Sequence, residues 1–107
     1  MKAQCMSLLA ASLLSFSFAA HAGDAARGKE KSTTCAACHG VEGTSPSNAF
    51  PHLAGQHEDY LYRALLDYQA GNRKNPIMAA QVEKLSRADL ADLAAYFSSQ
   101  KGLYVRR

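Results

Sequence analysis

Apolar residues recur with a helical period in the second half of the chain. Two windows place four apolar residues at positions i, i+3, i+4 and i+7: Leu61, Ala64, Leu65 and Tyr68, then Leu90, Leu93, Ala94 and Phe97. The first window predicts a helix over Glu58–Ala70, with Gly71 placed to end it. The second predicts a helix that starts at Ser86 and ends near Gly102, because Ser86 and Asp89 form a pair typical of a capping box.

The other segments are less regular. Asp24 can accept hydrogen bonds from free backbone N–H groups, which predicts a helix over Asp24–Thr34. Residues 40–55 are rich in glycine, proline, serine and asparagine, and this composition favours a loop. Pro76 predicts a rigid loop around Met78 rather than a helix interior. Because no window alternates with a period of two residues, we expect no sheet and an all-α fold.

The first 22 residues have the pattern of a secretory signal peptide. Lys2 is followed by a short apolar stretch interrupted by serines, and Ala20 and Ala22 provide the small residues of a cleavage site. A membrane span would need about 20 apolar residues without such interruptions. We therefore expect cleavage after Ala22, one domain over residues 23–107, no membrane anchor after cleavage, and a periplasmic location.

Size and charge narrow the class of protein. The chain has 107 residues and a formal charge of +3, which fits one small domain and does not indicate a nucleic-acid-binding protein. Much of its apolar content lies in the signal peptide or is alanine, so few large apolar side chains remain to form a core. Chains of this size usually need a disulfide, a metal or a cofactor to stabilise the fold. Cys35 and Cys38 are the only cysteines left after cleavage.

Cys35, Cys38 and His39 form a C-x-x-C-H motif, the signature of covalent c-type haem attachment. Two thiols at this spacing can form thioethers to one porphyrin edge, and the next residue then brings an imidazole to the iron. A thioredoxin-like dithiol and half of a zinc site are the alternatives. The first lacks its βαβ context, and the second lacks another cysteine pair. The predicted export also agrees with haem attachment, because c-type attachment requires a compartment outside the cytoplasm.

The sixth iron ligand is expected to be Met78, the only methionine beyond the signal peptide. It stands 39 positions after His39, which is enough chain to pass around a macrocycle. His52 and His57 are the competing candidates. We expect the Pro51 carbonyl to accept a hydrogen bond from His39 Nδ1–H, and Leu53 to press on the porphyrin.

These motifs together resemble a class I c-type cytochrome, and in particular a single-haem domain of the cytochrome c4 or c553 kind. The matching segments are Gly23–Lys29, Cys35–Gly40, Phe50–Gln56, Asp59–Leu61, Pro76–Ala79 and Leu90–Phe97. The resemblance implies three to four helices wrapped around one covalently bound haem, with Gly28 close to Tyr96 or Phe97 where the terminal helices cross. Proteins of the c4 type carry two haem motifs, whereas this sequence carries one, so we expect no transfer between haems within the chain.

The expected function is that of a soluble one-electron carrier with a fairly positive potential. With His39 and Met78 on the iron, no small-molecule substrate can bind there, so we expect a non-enzyme whose partners are redox proteins, either membrane-bound or soluble. Arg73, Gln56 and Tyr60 are candidate partners of the haem propionates. A haem enzyme subunit or a gas or redox sensor, in which Met78 dissociates, and a dithiol-disulfide oxidoreductase remain as alternatives.

Overall fold

The computed structural model describes residues 23–102, and within that range the regular structure is entirely helical. Five helices follow in order: α1 Ala25–Lys31, α2 Thr33–His39, α3 Glu58–Ala70, α4 Pro76–Val82 and α5 Arg87–Ser98. The all-α prediction is confirmed, with five helices in place of the three to four expected. None of the helices in residues 23–102 is long and apolar enough to cross a membrane. The predicted signal peptide, residues 1–22, lies outside the described residues.

The helix expected over Asp24–Thr34 is in fact two helices. Asp24 caps α1 as expected, since its Oδ1 accepts the Arg27 N–H at 2.9 Å. At Ser32, however, both the hydroxyl and the backbone N–H donate to the Lys29 carbonyl, at 2.7 and 3.3 Å. A serine hydroxyl that competes for a backbone carbonyl favours the end of a helix. The chain therefore begins a separate helix, α2, which carries the whole C-x-x-C-H motif.

The prediction of a loop around Met78 is also wrong, because this residue lies in α4. Pro76 is the first residue of that helix, and Asn75 Oδ1 accepts the N–H groups of Ile77 at 3.0 Å and Met78 at 3.1 Å. A proline at the first helical position loses nothing, since that N–H has no partner within the helix, and its fixed φ suits the first turn. Asparagine followed by proline thus starts a helix here.

The two periodic helices form as predicted. α3 has the expected bounds and ends at Gly71, whose φ of 81° is left-handed. The capping box before α5 is present, with Ser86 Oγ accepting the Asp89 N–H at 3.1 Å and Asp89 Oδ2 accepting the Ser86 N–H at 2.9 Å. This helix stops at Ser98, before the expected Gly102, where the Ser99 hydroxyl donates to the Tyr96 carbonyl at 2.7 Å.

The core is built around α5, against which both α1 and α3 pack. Its main cluster contains one residue of α3 and four of α5: Leu61, Leu93, Ala94, Tyr96 and Phe97. Gly28 allows α1 to approach α5 closely. Any larger residue there would not fit, because its Cβ would overlap the Asp92 carbonyl and lie 2.7 Å from Tyr96 Cβ. The expected close approach is confirmed, and Tyr96 rather than Phe97 is the aromatic residue involved.

Candidate haem-binding site

Helix α2 carries the two cysteines and the histidine of the motif within two turns. Cys35 and Cys38 are partly buried free thiols at positions i and i+3, which are neighbours on a helix surface. Cys35 packs against the core cluster. Burial raises the pKa of the Cys35 thiol, although a hydrogen bond to Thr34 acts in the opposite direction. This thiol is therefore in its neutral form at neutral pH.

His39, the last residue of α2, is only 7% exposed. Its Nδ1 lies 2.8 Å from the Pro51 carbonyl oxygen, so the hydrogen bond expected between these residues is present. Because a carbonyl oxygen can only accept, the proton must lie on Nδ1, and the neutral ring then has its free electron pair on Nε2. The Phe50 ring meets the imidazole edge-on, with 6.4 Å between ring centroids. The imidazole thus has one fixed tautomer and a fixed orientation.

The loop that presents Pro51 is held to itself and to α5. The Gly43 carbonyl accepts the N–H groups of Leu53 and Ala54, at 2.7 and 3.1 Å. Gly43 has a φ of 83°, and a Cβ there would lie 2.8 Å from Phe97 Cδ1. Leu53 is partly buried and packs against the core cluster. The loop therefore has a defined shape beside His39.

His52, a competing ligand candidate, takes part in the same loop. Its Nδ1 accepts the Ser45 N–H at 2.8 Å, while the Ser45 hydroxyl donates to the Ser47 carbonyl at 2.7 Å. His57, the other competitor, is exposed and stands directly before α3, where its side chain makes no capping hydrogen bond. One nitrogen of the His52 ring is therefore already used within the loop.

Met78 is half-buried on α4, next to Ile77, which is 63% exposed. The far end of this helix is joined to α3 by Gln69, whose Nε2 donates to the carbonyls of Val82 at 2.8 Å and Leu85 at 2.7 Å. The sequence gives no signal for this contact, because it joins residues 13 and 16 positions apart on different elements.

The three candidate partners of the haem propionates do not all lie together. Arg73 Nη1 donates to the Tyr60 hydroxyl at 3.3 Å, and the guanidinium lies 5.0 Å from the centroid of the Tyr68 ring. The hydrogen bond to Tyr60 is the main reason that the pKa of Arg73 is raised. Gln56 instead accepts the His57 N–H on its Oε1, at 2.9 Å. The structure thus brings Arg73 and Tyr60 together, while the Gln56 side-chain oxygen is bonded to the neighbouring backbone.

The donor set of α2 fits a haem c. Two thiols on neighbouring helix positions suit two thioethers, and a buried imidazole with its proton on Nδ1 presents the other nitrogen to a metal. A zinc site needs four ligands. Within residues 23–102 no group of three or more His, Cys, Asp or Glu side chains is placed to hold a metal ion.

An all-helical domain with a C-x-x-C-H helix and a buried, carbonyl-bonded imidazole has the features of a class I c-type cytochrome. The cytochrome c family profile matches residues 25–101, and the chain belongs to that family. Haem c is the prosthetic group that this family membership implies.

Several bacterial cytochromes are similar to this chain. Cytochrome c4 of Pseudomonas aeruginosa is 51% identical over 80 residues, which is 75% of this chain and 40% of that protein. Cytochrome c-554(548) of Halomonas halodenitrificans is 43% identical over 75% of this chain and 100% of its own length. The crystal structure of reduced recombinant cytochrome c4 from Pseudomonas stutzeri superposes with a TM-score of 0.74 at 49% identity, covering 77% of this chain and 48% of that one. The chain thus spans less than half the length of these cytochrome c4 relatives.

Proposed function

We propose that this chain is a one-electron carrier that holds one haem c through thioethers to Cys35 and Cys38, with His39 and Met78 as axial ligands. The observation that carries the proposal is the 2.8 Å contact between His39 Nδ1 and the Pro51 carbonyl. It fixes the tautomer that a metal-binding imidazole requires, within a motif whose two thiols share the same helix. When bound, the haem supplies the Fe(III)/Fe(II) couple.

The Pro51 carbonyl acts on the proposed proximal ligand in two ways. As a hydrogen-bond acceptor it holds the plane of the imidazole, and it also makes Nε2 a stronger electron donor. The loop bonds from Gly43 to Leu53 and Ala54 keep that carbonyl in place. Leu53, a partly buried residue of this loop, is the proposed apolar contact of the porphyrin.

Met78 is proposed as the second residue that would bind the haem iron, because α4 holds its backbone in a fixed position. Its backbone N–H is bonded to Asn75 Oδ1 at 3.1 Å, and Val82, one turn further on, is only 2% exposed. A neutral thioether favours the reduced state more than a second imidazole does, which raises the potential. Two protein ligands also leave no iron position for a substrate, so the proposed role is electron transfer and not catalysis.

The proposed partners are redox proteins, a donor and an acceptor that are membrane-bound or soluble, and the proposed location is the periplasm. Both follow from the predicted signal peptide and from the proposed ligation. An enzyme or sensor role would require Met78 to leave the iron. A dithiol oxidoreductase would need a thiol of lowered pKa, whereas burial raises the pKa of Cys35.

The decisive experiment compares absorption spectra and potentials of the exported protein and its Met78→Ala variant. We expect the oxidised protein to show the weak methionine-to-iron band at the red end of the spectrum, and the variant to lose it. The potential of the variant should fall by on the order of 0.1 V, since axial ligands set haem potentials over about 0.8 V. The reduced variant should also bind carbon monoxide.

Ile77→Ala is the matched control, because Ile77 is the exposed neighbour of Met78 on α4. It should keep the band and the potential. A purified chain with free thiols at Cys35 and Cys38 and no added mass of a macrocycle would contradict haem attachment. A Met78→Ala variant with unchanged spectra would contradict the proposed sixth ligand alone.

A further inference from the structure

One exposed side chain joins the Met78-bearing helix to the rest of the molecule. Gln69 lies in the last turn of α3, and its Nε2 donates to the Val82 carbonyl at 2.8 Å and to the Leu85 carbonyl at 2.7 Å. Val82 is the last residue of α4, and Leu85 follows in the turn before α5. Since carbonyls only accept, the amide nitrogen is the atom that this contact requires.

We propose that Gln69 is a positioning residue that holds α4, and therefore Met78, in the position where its sulfur can bind the haem iron. The inference rests on the proposed function, because it assigns Gln69 a role toward the proposed sixth ligand. Nothing in the motifs of the sequence indicates such a role. It follows from the two hydrogen bonds that one amide makes to the end of a neighbouring helix.

Helix α4 depends on contacts of this kind. It has seven residues, and helices shorter than about 12 residues are marginal in water without tertiary support. Its first turn is capped by Asn75, so one end is already secured locally. At the other end, Gln69 donates a hydrogen bond that holds the carbonyl of Val82. Val82 lies four residues after Met78, so the two residues are on the same face of the helix. Movement at Val82 is thus transmitted to Met78.

Opening of α4 has a measurable chemical consequence. When added imidazole replaces Met78 on the oxidised protein, the iron–sulfur coordinate bond breaks and an iron–nitrogen bond forms, with no electron transferred. The apparent affinity for imidazole then depends on the fraction of molecules in which α4 has moved away. Losing the two Gln69 hydrogen bonds raises that fraction, so imidazole should bind more tightly.

The sharpest variant is Gln69→Glu, which keeps the shape of the side chain but replaces the donor by a carboxylate that repels both carbonyls. We expect it to bind imidazole about tenfold more tightly, as the loss of one part-buried and one exposed hydrogen bond implies. Gln69→Lys restores donors to the same carbonyls and should return the affinity to within about twofold of the original protein. Gln81→Glu places the same charge on exposed α4 surface and should leave the affinity unchanged.

Amide hydrogen exchange of residues 80–82 gives a readout that does not depend on the iron. It should become faster in Gln69→Glu and should be restored in Gln69→Lys. Unchanged imidazole affinity and exchange in Gln69→Glu, no restoration by lysine, or an equal effect of Gln81→Glu would each overturn the role of Gln69. In those cases the proposed function stands if the original protein shows the methionine-to-iron band. If that band is absent from the original protein, the proposed ligand and this inference fall together.

Discussion

Lys31 Nζ lies 2.7 Å from Asp92 Oδ2, and this ion pair joins α1 to α5 where the two helices pack together. The Asp92 side chain is only 4% exposed. It also accepts the Asp24 N–H at 2.8 Å and Arg27 Nε at 3.3 Å, so three donors of one segment converge on a single carboxylate. A buried charge with several partners is costly to leave unpaired, so this contact ties the terminal helices together.

The Asp92 carboxylate makes the stability of the protein sensitive to acid. The hydrogen bond from Lys31, followed by that from the Asp24 backbone, lowers the pKa of Asp92 from 3.8 to about 2. Because the pKa is lower in the folded protein than in the unfolded chain, Asp92 stabilises the fold above about pH 4, and this contribution is lost as the pH falls towards about 2. Urea unfolding at a series of pH values should show the loss.

Asp92→Asn should lower the free energy of unfolding at pH 7 by about 1 to 3 kcal/mol, since it weakens charge-assisted hydrogen bonds. The variant should also lose less stability than the original protein between about pH 4 and pH 2. Glu30→Gln, at an exposed position of α1, is the control and should change neither quantity. Identical pH profiles for Asp92→Asn and the original protein would show that Asp92 does not cause the acid dependence.

Gly28→Ala should destabilise the protein, although alanine is normally the better helix former by about 1 kcal/mol. The added Cβ would overlap the Asp92 carbonyl and lie 2.7 Å from Tyr96 Cβ, so α1 and α5 must move apart. We expect a loss of about 1 to 3 kcal/mol in urea unfolding. For Gly71→Ala, the added Cβ would have no atom within 4 Å, so only the φ of +81° is unfavourable. This should lower the free energy of unfolding by about 1 to 2 kcal/mol. A stabilised Gly28→Ala variant would refute the close approach.

His52→Leu should loosen the loop that presents Pro51, because the Ser45 N–H loses its acceptor. Ser45 is 9% exposed, and an unpaired backbone donor at such a site costs about 1 to 2 kcal/mol of unfolding free energy. His52→Asn retains an acceptor near the Nδ1 position and should recover much of the stability. His57→Leu changes an exposed residue and serves as the control. Equal stabilities of the leucine and asparagine variants would mean that the hydrogen bond from the Ser45 N–H to His52 does not contribute to the free energy of unfolding.

Local signals in the sequence predict several elements correctly. The i, i+3, i+4, i+7 stripe gives α3 its true bounds, and the pair Ser86 and Asp89 marks the start of α5, because periodicity and capping act within one or two helical turns. The start of α4 also had a local signal, the sequence Asn75-Pro76, which can begin a helix as readily as it can break one. Ser32 shows the opposite case, in which a hydroxyl ends a helix that the composition alone would continue.

The sequence by itself determined the all-helical fold, the C-x-x-C-H motif and the family, because each depends on spacing along the chain. The hydrogen bond between His39 and the Pro51 carbonyl was also expected from the sequence and is present. Only the tertiary structure decided that Asp92 accepts from three donors and that Gln69 holds the end of α4. The Lys31–Asp92 and Gln69–Val82 contacts join residues 61 and 13 positions apart on separate elements. Which donor meets which acceptor there depends on how the helices and loops pack, and no local pattern encodes that arrangement.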